Sequence, residues 1–350
     1  MVLFSFGLPG RFADWCDAIT TRITEVALGS VTVMSAETPE ELAVALLMAE
    51  GGSLFVSGRQ PGAWLGRVLA TTEKPFIVSL GDPRSMVWEL TSRHGLDVAD
   101  ATRRVGASCA AIMSCIGRPH ALILNAGPDW QQPAATTEAI ARHFGLALDP
   151  VDIAKIVEDV MSAGHGPDIL SPAAEASPDR LTERDTAILE GAVAPYLEHF
   201  LGHPLGRITW ARELFLADGH RPAVQPVDVT GRVRALIYGP YIRLPLGSWA
   251  AEVVLGFSQE ATDVTFVVDI LSGGSQLCVA SLRPPRQGVY SVNLSFVINE
   301  QTDHPIEFRV VNERAAFDGK VALSHVLLSR QQDESASTID IVKTELGLTA

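Results

Sequence analysis

The chain has 350 residues, 47% of them hydrophobic and 19% charged, which is ample material for more than one packed core. A formal net charge of −14 excludes non-specific nucleic-acid binding, which needs a basic surface, although it leaves room for an isolated basic pocket. No apolar run reaches the roughly 18–20 residues of a membrane span, and no basic stretch opens the N-terminus. The four cysteines form no C-x-x-C pair, so reduced thiols and a cytoplasmic location are expected.

In chain order, VLFSFGLPG reads as a short buried strand ending in a Gly-Pro turn, followed by the amphipathic helix RFADWCDAITTRITEVAL. A strand, a tight glycine turn and a helix can cradle a phosphate, because the free N–H groups of the helix N-terminus attract anions. Ser30–Ala36 reads as a second strand. Thr38, Pro39 and Glu41 form a capping box for a helix that stops at Gly51. Ser53–Gly58 and Lys74–Leu80 read as strands. Asp82 with Pro83 starts a helix to near Gly95, and a longer one runs from Asp97 to Ile116. His120–Asn125 is a fifth strand, followed by helices at Thr136–Phe144 and from Asp149-Pro150 to Gly164. The strands are short continuous apolar runs alternating with helices. That predicts a three-layer α/β/α domain with a parallel sheet over residues 1–165, binding ligands at the strand carboxyl ends.

Residues 166–225 read as a Pro/Ala/Ser/Gly-rich linker followed by a helical connector. Beyond them the hydrophobic period changes from 3.6 to 2. Trp249, Ala251, Val253, Leu255 and Phe257 share one face, as do Val264, Phe266, Val268 and Ile270. An antiparallel β-sandwich is predicted over residues 226–330, then a polar tail over 331–350 with a weak helix near Ile339–Leu346.

Three stretches carry a family resemblance: FSFGLPGRFADW, FIVSLGDPRSMVWELTSRHG and HALILNAGPDWQQPAATTEAIARHFGLALDPVDIAKIVEDV. Over about Val2–Val160 the chain resembles the sulfotransferases that use PAPS. The resemblance implies that Gly7, Pro9, Gly10 and Arg11 stand in the loop for the 5′-phosphosulfate. That family's loop has a basic residue, then Ser, Gly and two hydroxyl residues. Here Gly10 holds the basic position, Arg11 comes one place late, and Ala13 and Asp14 replace the hydroxyls. A carboxylate beside a bound phosphate costs on the order of 1–4 kcal/mol at 4 Å. The family reads the 3′-phosphate with an Arg and a Ser, whose places are taken by Gly81 and Glu89; Arg84 and Ser92 are the nearby residues that would have to compensate. No cofactor is therefore expected. The alternative is an active PAPS-dependent sulfotransferase acting on a carbohydrate acceptor through a rearranged loop.

Around TGRVRALIYGPYIRLPLGSW the second domain resembles the β-sandwich modules found beside bacterial glycan-processing domains. The expected partner is a glycan or a polysaccharide-assembly protein, in bacterial surface-polysaccharide assembly or modification. Tyr238 and Tyr241 are the candidates for a glycan surface, with an interdomain contact as the competing role. A structural interaction module with no small ligand is a third reading. Asp14 and Arg59 are cleft candidates, although Asp14 in a helix's first turn is also favoured by the helix dipole. His199 and His203 have no third ligand and His165 reads as a turn residue, so no metal site and no catalytic residue is assigned. The oligomeric state is left open.

Overall fold

The computed structural model describes residues 1–48, 52–59, 64–65, 68–69, 73–165, 182–299 and 304–331. The chain divides into two units. Met1–Leu96 with Ala107–Arg180 forms the first; Asp97–Gly106 with Leu181–Ala350 forms the second.

The first unit is built on a five-stranded sheet in the order β2 (Val31–Ser35), β3 (Ser53–Gly58), β1 (Val2–Gly7), β4 (Phe76–Leu80), β5 (Ala121–Asn125). Every pairing is parallel. The central strands are apolar on both sides because helices cover both faces. On one face Leu3, Phe55 and Ile77 pack with Trp15, Ile19 and Ile23 of helix α1 (Arg11–Leu28) and with the helices Pro133–His143 and Pro150–Val160. On the other, Leu54 and Val56 pack with Leu42 and Ala45 of helix α2 (Pro39–Met48). Each large side chain buried this way contributes about 1.5–3 kcal/mol.

The helix starts follow the sequence signals. Thr38 Oγ1 accepts from Glu41 N–H while Glu41 Oε2 accepts from Thr38 N–H. Asp82 accepts from Arg84 N–H at the head of the Pro83–His94 helix, and Asp149 from Asp152 N–H at the head of Pro150–Val160. Each cap satisfies an N–H that the helix leaves unpaired. Most of the expected linker and the expected tail helix lie outside the described residues.

The second unit holds the helices Glu183–Ala192 and Ala194–Phe200 and two antiparallel sheets. One runs β13 (Ser275–Leu282), β12 (Phe266–Ser272), β15 (Ile306–Asn312), β10 (Ala235–Ile242), β7 (Leu216–Ala217), β8 (Arg221–Pro222). The other runs β14 (Gly288–Ile298), β11 (Gly247–Phe257), β16 (Lys320–Arg330), β6 (Ile208–Ala211), with β9 (Val227–Asp228) on β16. The period-2 residues of β11, β12 and β14 are buried as their alternation requires. Trp249 Nε1–H donates to Pro245 O at 3.0 Å and Tyr290 O–H to Arg286 O at 2.8 Å, so both aromatics pack inward with their polar ends satisfied. The sandwich sheets also take in strands upstream of residue 226. Ile208 and Trp210 are buried, and the Trp210 ring stands edge-on to Phe308 at 5.7 Å. A four-residue strand is too short to announce itself by period, which is why the sequence places the sandwich later.

Candidate functional site

The loop after β1 is shaped by two glycines with different jobs. Gly7 lies beside Ser79 of β4, and a Cβ on it would sit 1.9 Å from Ser79 Oγ and 2.6 Å from Ser79 O. Only a residue without a side chain lets the two strands close here. Gly10 has φ +152 and ψ 169, a region essentially confined to glycine, and it starts α1 by accepting from Asp14 N–H at 3.1 Å.

The space above Gly10 is occupied. A Cβ on Gly10 would meet Met86 Sδ at 2.3 Å and Glu89 Oε2 at 3.2 Å. Met86 is buried, and its methyl group also lies against Gly81. A thioether, with a carboxylate beside it, therefore packs against Gly10 immediately before α1. Glu89 supplies the negative charge that a helix N-terminus favours, and Asp14 in the first turn supplies another. Glu89 in turn pairs with Arg93 at 2.9 Å.

The candidate cofactor residues are otherwise engaged or apart. Arg84 is folded back on the carboxylate of Asp82, with Nη2 at 2.8 Å from Oδ2 and Nε at 3.1 Å from Oδ1. Ser92 Oγ–H donates to Glu89 O at 3.4 Å, one turn back on its own helix. Arg11 is the first residue of α1, and Pro9 lies in the turn before Gly10.

Asp14 and Arg59 do come together. Arg59, at the end of β3, donates from Nε to Asp14 at 3.4 Å, from Nη2 to Ala13 O at 2.8 Å, and from Nη2 to Asp17. Burial pushes the Asp17 carboxyl up; Arg59 and the Ser5 and Ser57 hydroxyls pull it down, and Asp14 raises it again. Asp17 and Arg59 were not singled out as a pair from sequence. The available signal was that Asp17 sits one turn after Asp14, on the side of α1 that carries Ala13 and Cys16. Asp14 and Asp17 also line a groove of about 810 Å³, in which Arg22 pairs with Glu25 at 2.7 Å and Asp159 at 2.6 Å. These carboxylates are held by their own arginines, and no described group of three or more His, Cys, Asp or Glu residues is arranged to hold a metal.

In the sandwich, Tyr238 and Tyr241 lie near the end of β10. Tyr238 O–H meets His220 Nδ1 at 2.9 Å, with the two rings edge-to-face. Tyr241 has φ +63, and His220 has φ +58; left-handed backbone is costly for such residues and marks positions that the surrounding structure holds deliberately. Arg103 secures the strand just before Tyr241 by donating to Pro240 O at 2.7 Å, and also donates to Leu214 O at 2.9 Å. Tyr241 O–H donates to Glu307 Oε1 at 2.9 Å, and burial first, then Glu307, pushes the phenol up to about 12, so it remains a donor near neutral pH.

Tyr241 is 39% exposed and borders a pocket of about 240 Å³ shared with Gly273, Gly274, His304, Pro305 and Glu307. The Gly273–Gly274 turn leaves room for His304, whose ring would lie 2.4 Å from a Cβ on Gly273. Two residues along from Glu307, Arg309 grips the buried Asp269 with Nε, at 2.9 Å, and with Nη2. Glu307 and Arg309 are missing from the sequence candidates, although their alternation with Ile306 and Phe308 already places them on the outer face.

No family model and no curated protein matches the chain. Among solved structures it is similar to mouse sulfotransferase SULT7A1 complexed with PAP, at 11% identity over 53% of this chain and 80% of that one, TM-score 0.40. It is also similar to retinol dehydratase in complex with androsterone and the inactive cofactor PAP, at 13% identity over 57% and 80%, TM-score 0.34. A third likeness is to the C-terminal CBM6 of LamC, a marine laminarinase from Zobellia galactanivorans, at 14% identity over 36% and 100%, TM-score 0.26. These are likenesses of fold. The parallel sheet of the first unit and the antiparallel sheets of the second rest on the strand orders above.

Proposed function

We propose that this protein binds glycan through its β-sandwich, in the assembly or modification of a surface polysaccharide, and that its α/β unit does not transfer sulfate. The observation that carries this reading is the filled loop: Met86 and Glu89 lie over Gly10, where a phosphosulfate would have to sit. Arg84 is paired with Asp82 and Gly81 offers no side chain, so neither presents a spare cation to a second phosphate. The pocket beside Tyr241, in contrast, presents an aromatic ring, a carboxylate and an imidazole around a small concavity, the combination that recognises the apolar face and hydroxyl edge of a sugar.

A glycan array probed with the full chain tests the proposal. Binding to a defined set of glycans is expected, and Tyr241→Ala weakens it at least about tenfold, equivalent to about 1.4 kcal/mol. A blank array, or unchanged binding by Tyr241→Ala, contradicts it.

A further inference from the structure

From the pocket beside Tyr241 we infer the class of sugar: a single terminal ring that is neutral or carries an amino group, with uronic acids and sulfate esters excluded by Glu307. This rests on the glycan-binding reading above and narrows it.

Size gives the first part. A volume of about 240 Å³ falls below the roughly 300–1,000 Å³ of sites for drug-sized molecules, so the pocket accommodates one ring and not a run of them. Its walls come from chain segments far apart in sequence: the end of β10, the β12–β13 turn and the start of β15. A single ring entering such a pocket is most simply a chain end.

Charge gives the second part. Among the described lining residues Glu307 is the only carboxylate, and no Lys or Arg is present. The nearest arginine along the strand, Arg309, is already held by the Asp269 carboxylate, which is 5% exposed. Glu307 Oε1 accepts the Tyr241 hydroxyl, so the side chain is fixed in place and not free to swing away. A carboxylate fixed in a small concavity accepts hydrogen bonds from sugar hydroxyls and pairs with an ammonium. It repels a second carboxylate or a sulfate, with no Lys or Arg among the described lining residues to offset the repulsion. The formal net charge of −14 acts in the same direction at long range.

The test is the same array, carrying neutral, amino-sugar, uronic-acid and sulfated termini on matched chains, read with the wild-type chain and with Glu307→Gln. Glutamine keeps an acceptor for Tyr241 and removes the charge. Wild-type signal is expected on neutral and amino termini only. Glu307→Gln is expected to gain acidic termini and to lose at least tenfold on amino termini relative to neutral ones. Wild-type binding to uronate or sulfate termini on a par with neutral ones overturns the sugar class and leaves glycan binding standing. Binding to internal residues of long chains with none to their termini overturns the single-ring assignment. A blank array overturns both this inference and the reading beneath it.

Discussion

Gly7→Ala is expected to destabilise the α/β unit by about 3 kcal/mol, at the upper end of what overpacking costs. The new methyl would stand 1.9 Å from Ser79 Oγ and 2.6 Å from Ser79 O. The hydroxyl could rotate away, but the carbonyl cannot. It belongs to β4, whose residues are all buried, and it accepts from Leu8 N–H at 3.2 Å. Relief therefore requires β1 and β4 to separate at the centre of the sheet. Ser79→Ala in the same background should recover only part of the loss, because the carbonyl clash persists. Urea unfolding of wild type, Gly7→Ala and the double variant measures both terms. An unchanged midpoint for Gly7→Ala would show that the strand ends are further apart than described.

The second large effect concerns Arg59. Arg59→Met should cost about 3 kcal/mol near neutral pH, because removing one partner of a mostly buried pair leaves the other charge uncompensated. The side chains of Arg59 and Asp17 are 18% and 17% exposed, so solvent cannot take over the role of the lost guanidinium. The pH dependence follows from the direction of the Asp17 shift. Burial holds its folded carboxyl above the ordinary value, so the folded state binds the proton more tightly than the unfolded chain. Its contribution is most favourable below the unfolded carboxylate value and is lost as pH rises through the folded one. Without Arg59 the downward pull disappears and that loss grows. The deficit of Arg59→Met should thus be smallest in acid and widen towards neutral pH. Asp17→Asn in the Arg59→Met background should flatten it. Unfolding curves for the wild type and the two variants across that range decide the matter, and a deficit independent of pH would mean that Asp17 does not carry it.

Much of the architecture was legible because it is encoded locally. The caps at Thr38, Asp82 and Asp149 lie within three or four residues of the groups they satisfy. The buried runs of β1, β3 and β4 and the alternation in β11 and β14 are properties of single segments. The site was legible only in part. That Gly10 brings no cation to the loop could be read from the sequence, but that Met86 packs against it depends on how the Pro83–His94 helix sits against the loop. Asp17 and Arg59 are 42 residues apart, and Tyr241 and Glu307 are 66 apart; no local pattern brings either pair together. The β6 strand escaped for a different reason, since only pairing with β16 gives Ile208–Ala211 its identity.

The filled loop makes one claim that calorimetry can meet directly. Titration of adenosine 3′,5′-bisphosphate into the full chain at low salt should give no heat beyond dilution, corresponding to a Kd weaker than about 1 mM. Micromolar binding to the wild type, abolished by Arg11→Ala, would contradict the account: Met86 and Glu89 would then have to move aside, and the α/β unit would be a nucleotide site after all.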